Sequence, residues 1–114
     1  MGIQAIRSSA TIDTLVDKGA IASLGDPACR VSSAEVIIPE RSSYKTGLWE
    51  CTPGRFRRQV AAAEVMYILS GSGDFRTDAG DVFPFGSGDT LFFPPETHGI
   101  WNIQETVRKV YVLL

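Results

Sequence analysis

The sequence predicts an all-β fold, because short runs of β-forming residues alternate with turn residues along most of the chain. The clearest run is residues 64–70 (EVMYILS), which ends at the GSG of residues 71–73. A hairpin follows, in which residues 74–77 and 81–83 are strands and Asp78-Ala79-Gly80 is the turn. Short strands at this spacing are typical of a β-sandwich or barrel.

The remaining strands are predicted on either side of that hairpin. Proline cannot donate to a strand ladder, so Pro53 closes the first of them and Pro94-Pro95 closes another. A Gly-Ser-Gly-Asp turn at residues 86–89 precedes the strand that Pro94 ends. These strands are expected at residues 45–51, 56–60, 90–93, 99–103 and 107–114.

The first part of the chain differs in character from the rest. Residues 11–18 are expected to form a short helix that ends at Gly19, with Ile12, Leu15 and Val16 on one face. Val36-Ile37-Ile38 is expected to be an edge strand or a segment that lies across a partner. We therefore predict an N-terminal extension, residues 1–43, that packs on a barrel of residues 44–114 or on a dimer partner.

Composition and charge argue against several classes of partner but do not identify a function. The chain of 114 residues is the size of one domain, and 11 basic and 13 acidic residues give a net charge of -2. That balance gives no electrostatic reason to expect nucleic acid as a partner. No run approaches the ~20 apolar residues of a membrane helix, so we expect no membrane partner and a cytoplasmic protein. The two cysteines are expected to be free thiols, and there is a single histidine, His98.

Two spacings in this all-β region resemble a known family. Glu64 lies six residues before Gly71, and Gly88 lies five residues before Pro94. Together with GLWECTPGRFRR (residues 47–58) and TVRKVYVLL (residues 106–114), they make the chain similar to the cupin superfamily. It resembles most the subfamily of the ethanolamine-utilisation cupins and the cupin domain of (S)-ureidoglycine aminohydrolase. The resemblance implies a single double-stranded β-helix, or jelly-roll barrel, with a central cavity, and it implies a homodimer.

The resemblance also implies a metal site, which this sequence matches poorly. Cupins usually use two histidines and a glutamate from the first motif and one histidine from the second. Counted back from Glu64, the two histidine positions fall on Arg57 and Gln59, or on Arg58 and Val60 with a shorter gap. Arginine has no lone pair to donate to a metal.

The histidine of the second motif is displaced by one residue. Its expected position is Gly99, and His98 precedes it. A shift of one residue turns a strand side chain to the opposite face, so His98 would point outwards while Trp101 and Ile103 point inwards. If a deletion in the turn after Pro94 restored the frame, Gln59, Glu64 and His98 would be the available ligands. No cofactor is favoured, and a divalent transition metal is the alternative.

Glu64 is the strongest candidate for a site residue. If it points into the cavity, alternation places Met66 and Ile68 beside it, and a carboxylate there needs a cationic partner. Arg55, Arg57 and Arg58 are close enough in sequence to provide one, either as the floor of a ligand site or as a structural ion pair. Arg108 and Lys109 are expected on a solvated strand face. The predicted pocket residues are Arg57, Gln59, Glu64, Met66, Tyr67 and Trp101.

Three functions are consistent with these residues. The first is the binding of a small polar or anionic metabolite in the barrel, beside a degenerate metal site. The second is a metal-dependent enzyme acting on a ureide-like carbon-nitrogen compound, with Glu64 and His98 as ligands. The third is a non-catalytic accessory cupin. Nothing in the sequence argues strongly for catalysis.

Overall fold

The computed structural model describes residues 2–114, and within that range it contains eight strands and no helix. No segment of this part of the chain could therefore cross a membrane as a helix. The strands are β1 (Val16–Ala20), β2 (Arg30–Val36), β3 (Lys45–Cys51), β4 (Gly54–Arg57), β5 (Glu64–Thr77), β6 (Val82–Gly86), β7 (Thr90–Phe93) and β8 (Gly99–Leu113). The all-β prediction is confirmed.

The helix predicted at residues 11–18 is wrong. Residues 7–11 form turns, and Val16 begins β1, which pairs antiparallel with β2. Gly19, expected to end the helix, lies next to an irregularity in that pairing and has a φ of 83°. Sheet pairing overrides the local helical pattern here, and β-branched residues such as Ile12 and Val16 have a weak helix preference.

Two long strands connect the two layers of the barrel. The first half of β5 pairs with β7 and with the C-terminal half of β8, whereas its second half pairs with β6 and with the N-terminal half of β8. β8 continues the first layer through β3, β2 and β1, and the second layer through β4. This arrangement is a jelly roll, in which the two layers enclose one core.

Most predicted strands are confirmed, but two predicted boundaries are absent. The strands at residues 45–51 and 90–93 agree with β3 and β7, and the hairpin turn is closed by a bond from Gly80 N to Thr77 O of 2.9 Å. The strands predicted at residues 99–103 and 107–114 are parts of one strand, β8, which ends at Leu113, and β5 continues through the glycines at residues 71–73. The strand expected at residues 56–60 is β4 and ends at Arg57, and β2 ends at Val36.

Gly71 allows β5 to turn the corner between the two layers. The pairing of β5 with β8 shifts register on both sides of it, and its φ is 91°. A Cβ atom at this position would lie 2.1 Å from the carbonyl oxygen of Thr106 on β8. The glycine of the Glu-x6-Gly spacing is therefore required by the close approach of two backbones.

The core between the layers is aromatic at one end. The Trp101 ring centroid lies 4.9 Å from that of Phe75, 5.5 Å from that of Phe93 and 5.6 Å from that of Phe85. Aliphatic and sulfur-containing side chains fill the rest. They include the free thiols Cys29 and Cys51, both fully buried. Burial is the main cause that raises the pKa of the Cys51 thiol, so this group stays protonated.

We expect Gly71→Ala to destabilise the protein much more than Gly80→Ala. Both glycines have positive φ, 91° and 99°, so either alanine incurs a left-handed strain of about 1–2 kcal/mol. Only at Gly71 does the new methyl group meet another strand, whereas nothing lies within 4 Å at Gly80. The additional steric cost is about 1–3 kcal/mol or more. Urea unfolding of the two variants measures the difference, and equal losses would contradict the corner role.

Candidate functional site

A cavity of about 250 Å³ lies inside the barrel. Its walls come from β2, β3, β4, β5 and β8, together with the segments that follow β1 and β4. Gln59 and Val60 are exposed and lie where the cavity meets solvent. The lining residues are Ile21, Val31, Trp49, Phe56, Arg58, Gln59, Val60, Glu64, Trp101, Lys109, Tyr111 and Leu113.

Glu64, the first residue of β5, is a buried carboxylate held by two cations. Its Oε1 accepts a hydrogen bond from Nη2 of Arg58 at 3.0 Å, and its Oε2 accepts one from Nζ of Lys109 at 2.8 Å. All three side chains are almost completely buried. We call Arg58, Glu64 and Lys109 the charged triad. It carries two positive groups against one negative group, so it gives the cavity a net positive charge.

Lys109 projects from β8 between the two tryptophans of the cavity. Its Nζ lies 4.5 Å from the ring centroid of Trp49 and 5.1 Å from that of Trp101, distances at which a cation is attracted to an aromatic face. The Sδ of Met66 lies 3.8 Å away. Burial lowers the pKa of Lys109 below its ordinary 10.5, while the neighbouring Glu64 carboxylate acts in the opposite direction.

Arg58 is fixed by the backbone at the end of β4. Its Nη1 donates to the carbonyl of Thr97 at 3.0 Å, and its Nη2 donates to the carbonyl of Ala62 at 3.1 Å as well as to Glu64. The guanidinium carbon lies 4.9 Å from the ring centroid of Phe93. Among the described residues, Arg58 Nε is the buried side-chain nitrogen that has no hydrogen-bond partner. One donor on the cavity-lining arginine is therefore free.

Four of the predicted pocket residues lie at or beside the cavity. Glu64, Gln59 and Trp101 line it, and Met66 is buried next to Lys109. Tyr67 does not belong to the cavity: 45% of its surface is exposed, because alternation along β5 sends Glu64 and Met66 inwards and Tyr67 outwards.

Arg57 is also outside the cavity. Its side chain is 50% exposed and pairs on the surface with Asp78, at 2.9 Å, whereas the Arg58 side chain is 2% exposed. On β4, Phe56 is buried in the core, so Arg57 must face outwards, and the chain turns Arg58 back inwards. The arginine partner predicted for Glu64 is therefore Arg58.

The expectation that Arg108 and Lys109 lie on a solvated face is wrong. Lys109 points into the cavity, and Arg108 lies on the outer face of the same strand, where Glu50 and the carbonyls of Ser9 and Ile12 accept its hydrogen bonds. Both residues are buried. Lys109 was not predicted as a cavity residue, although strand alternation could have identified it. Lys109 lies eight residues after Trp101 on the same strand, so both side chains face inwards.

The residues at the cupin metal positions do not fit a metal. Both oxygens of Glu64 already accept hydrogen bonds from cations, and Gly99 has no side chain at the second-motif position. A Cβ at Gly99 would lie 2.7 Å from the Phe75 ring, which fills the space that a histidine would need. Over residues 2–114, no group of three histidine, cysteine, aspartate or glutamate side chains is placed to hold a metal ion.

His98 lies on the outside of the barrel. Its side chain is 51% exposed, and its Nε2 lies 3.1 Å from Oε2 of Glu96. Gly99, Trp101 and Ile103 are buried, so the side chains of β8 alternate as expected if the turn after Pro94 has no deletion. Gln59, Glu64 and His98 are therefore not brought together as a ligand set.

A jelly roll around a central cavity is the architecture expected of a cupin. Its sequence matches the EutQ-like cupin domain over residues 40–111, which is more than half of the chain. The protein therefore belongs to the family of EutQ-like cupin domains. No curated protein matches the sequence.

Solved structures show the same fold. The EutQ protein of Clostridium difficile is 22% identical with a TM-score of 0.68, over 82% of this chain and 74% of that one. A DUF861 family protein of unknown function from Pseudomonas syringae pv. tomato is 21% identical with a TM-score of 0.78, over 90% of this chain and 45% of that one. A DUF861 family protein from Thermotoga maritima is 31% identical with a TM-score of 0.57, over 59% and 76%.

We expect Glu64→Gln to destabilise the fold strongly. The substitution leaves two buried cations without their shared carboxylate, and breaking a buried ion pair in this way costs about 3–5 kcal/mol. The matched control is Asp78→Asn, which removes an exposed carboxylate from Arg57 and should cost about 0–1 kcal/mol. Urea unfolding of both variants gives the comparison. If both variants lost a similarly small amount of unfolding free energy, the triad would not be what holds the barrel together.

We also expect the contribution of Lys109 to the unfolding free energy to depend on pH. The pKa of Lys109 is lowered in the folded protein, so between that pKa and 10.5 the unfolded chain binds more protons than the folded one. The unfolding free energy of the wild type relative to Lys109→Met should therefore rise as pH increases towards 10.5. Taking the difference cancels Tyr111, whose pKa is raised mainly by burial and which is present in both proteins. A difference that falls over this range would contradict the assignment.

Proposed function

We propose that this cupin binds a small carboxylate inside the barrel. The observation that carries the proposal is the charged triad at the cavity wall, in which two buried cations share one carboxylate. These two cations exceed the one carboxylate by one positive charge, and an anionic ligand in the cavity would balance that excess. A charged donor beside the cavity also suits a carboxylate, because hydrogen bonds between ionised groups are stronger than those between neutral groups.

The size and the walls of the cavity support a small ligand. A volume of about 250 Å³ is below the usual range for drug-sized ligands and suits a metabolite of a few carbon atoms. Apart from the triad, Gln59 and Tyr111, the lining side chains are apolar or aromatic. Such walls strengthen the interaction of the cations with an anion, because they keep water away.

The two other functions receive less support. A metal-dependent enzyme for a ureide-like compound needs Glu64 and His98 as joint ligands, yet one is saturated by cations inside the barrel and the other lies outside. The closer relationship to the (S)-ureidoglycine aminohydrolase cupin domain therefore stays a prediction, without support from the site. An accessory cupin without a ligand would leave the excess positive charge of the triad unbalanced.

Homodimerisation also stays a prediction. It is favoured by Ile37 and Ile38, whose large apolar side chains are exposed just after β2. Exposed neighbouring side chains of this kind are typical of a surface that a second copy covers. A small-molecule ligand and a second copy are thus the partners that we propose.

Titration with small carboxylates tests the proposed function. Isothermal calorimetry with acetate, pyruvate and benzoate, each beside its neutral amide, should detect binding of at least one carboxylate and of no amide. At a hundred times its Kd, such a ligand should also stabilise the protein by about 2.7 kcal/mol. Arg58→Gln should abolish binding, and Arg57→Gln should leave it unchanged because that side chain lies on the surface. Since the amides test charge on the wild type itself, equal responses to acid and amide, or none to either, would reject the proposal.

A further inference from the structure

Lys109 differs from the other two lysines of the chain in its surroundings. Lys18 and Lys45 are exposed, whereas Lys109 is buried and lines the cavity. Its hydrogen-bond acceptors among the described residues are the Glu64 carboxylate, at 2.8 Å, and the weakly accepting sulfur of Met66. A primary amine placed in this way, with a carboxylate as its nearest neighbour, has the elements of a nucleophile beside a base.

The position of Lys109 relative to Arg58 selects the kind of substrate. These two side chains contact the two oxygens of one carboxylate group, so they are separated by the width of that group and two hydrogen bonds. A 2-oxo acid carries its carbonyl carbon directly next to its carboxylate. With the carboxylate on Arg58, the carbonyl carbon of such a molecule comes within reach of Lys109.

We propose that Lys109 forms a reversible imine with a small 2-oxo acid whose carboxylate is bound by Arg58. This inference rests on the proposed function, because it uses the same cavity and the same anion-binding arginine. It adds a covalent step and a chemical class, the 2-oxo acids, to simple carboxylate binding.

The step needs no oxidant, reductant or second substrate. Glu64 takes one proton from the Lys109 ammonium, and the nitrogen lone pair forms a bond to the carbonyl carbon while the C=O π electrons move to oxygen. That oxygen receives the proton back from Glu64, which gives a carbinolamine. A second proton then passes from nitrogen to the hydroxyl through Glu64, and the C–O bond breaks to release water. The net change converts ammonium and ketone into protonated imine and water.

The surroundings of Lys109 favour the steps of this reaction. Burial lowers the pKa of the amine, which eases the first proton transfer. The faces of Trp49 and Trp101 stabilise the positive charge that the protonated imine retains. Because Lys109 and Glu64 are already in hydrogen-bond contact, the proton has a direct path in both directions.

Reductive trapping tests the imine directly. The wild-type protein is incubated with pyruvate or glyoxylate and sodium cyanoborohydride, digested with trypsin and analysed by mass spectrometry. We expect a secondary-amine adduct on Lys109, loss of tryptic cleavage after it, and little adduct on Lys18 or Lys45. Acetate, which has no carbonyl group next to its carboxylate, should protect Lys109 from trapping.

Three variants separate the covalent step from binding. Lys109→Arg keeps the positive charge without the amine, so it should still bind acetate by calorimetry and lose the adduct. Arg57→Gln should be trapped as efficiently as the wild type, and Arg58→Gln should not be trapped. If pyruvate binds but gives no adduct, or if the three lysines react equally, the imine is rejected and carboxylate binding stands. If benzoate binds but pyruvate does not, the imine is rejected and carboxylate binding stands; if none of acetate, pyruvate and benzoate binds, both proposals are rejected.

Discussion

The charged triad is the constraint on which the rest of this barrel depends. Arg58 follows β4, Glu64 begins β5, and Lys109 lies in β8, so one carboxylate joins the first strand layer to the second. None of the three side chains is tolerable alone at this depth, because an unpaired buried charge costs several kcal/mol. The triad therefore fixes the relative position of three segments, and it also leaves the cavity with its excess positive charge.

The same contacts explain why the metal chemistry implied by the cupin resemblance does not carry over to this cavity. Arg58 and Lys109 place organic cations on the carboxylate that a metal would otherwise use. Elsewhere in the core, Phe75 packs against the backbone of Gly99, where the side chain of a metal ligand would have to project. These features support one another, since a cavity that already contains two fixed cations repels a third.

Most of the strands were predictable from the sequence, but the places where long strands bend between the two layers were not. Runs of β-forming residues and the Asp-Ala-Gly turn locate β3, β7 and the β5–β6 hairpin, because these depend on local chemistry. Gly71 was interpreted as the end of a strand, yet in a jelly roll the long strands continue through such glycines and bend. The helix expected at residues 11–18 failed for a similar reason: the pairing of β1 with β2 is a long-range contact that no local pattern contains.

Side-chain alternation along the strands determines which charged residues face the cavity, and composition alone does not show this. Arg57 and Arg58, His98 and Gly99, and Arg108 and Lys109 are neighbouring pairs in which one residue faces outwards and the other inwards. The outer members pair with Asp78, Glu96 and Glu50 respectively. Sequence reasoning selected Arg57 by aligning it with a histidine position, although alternation from the buried Phe56 excludes it. The single histidine is thus on the outer surface, and the cavity owes its charge to an arginine and a lysine that only the strand period distinguishes from their neighbours.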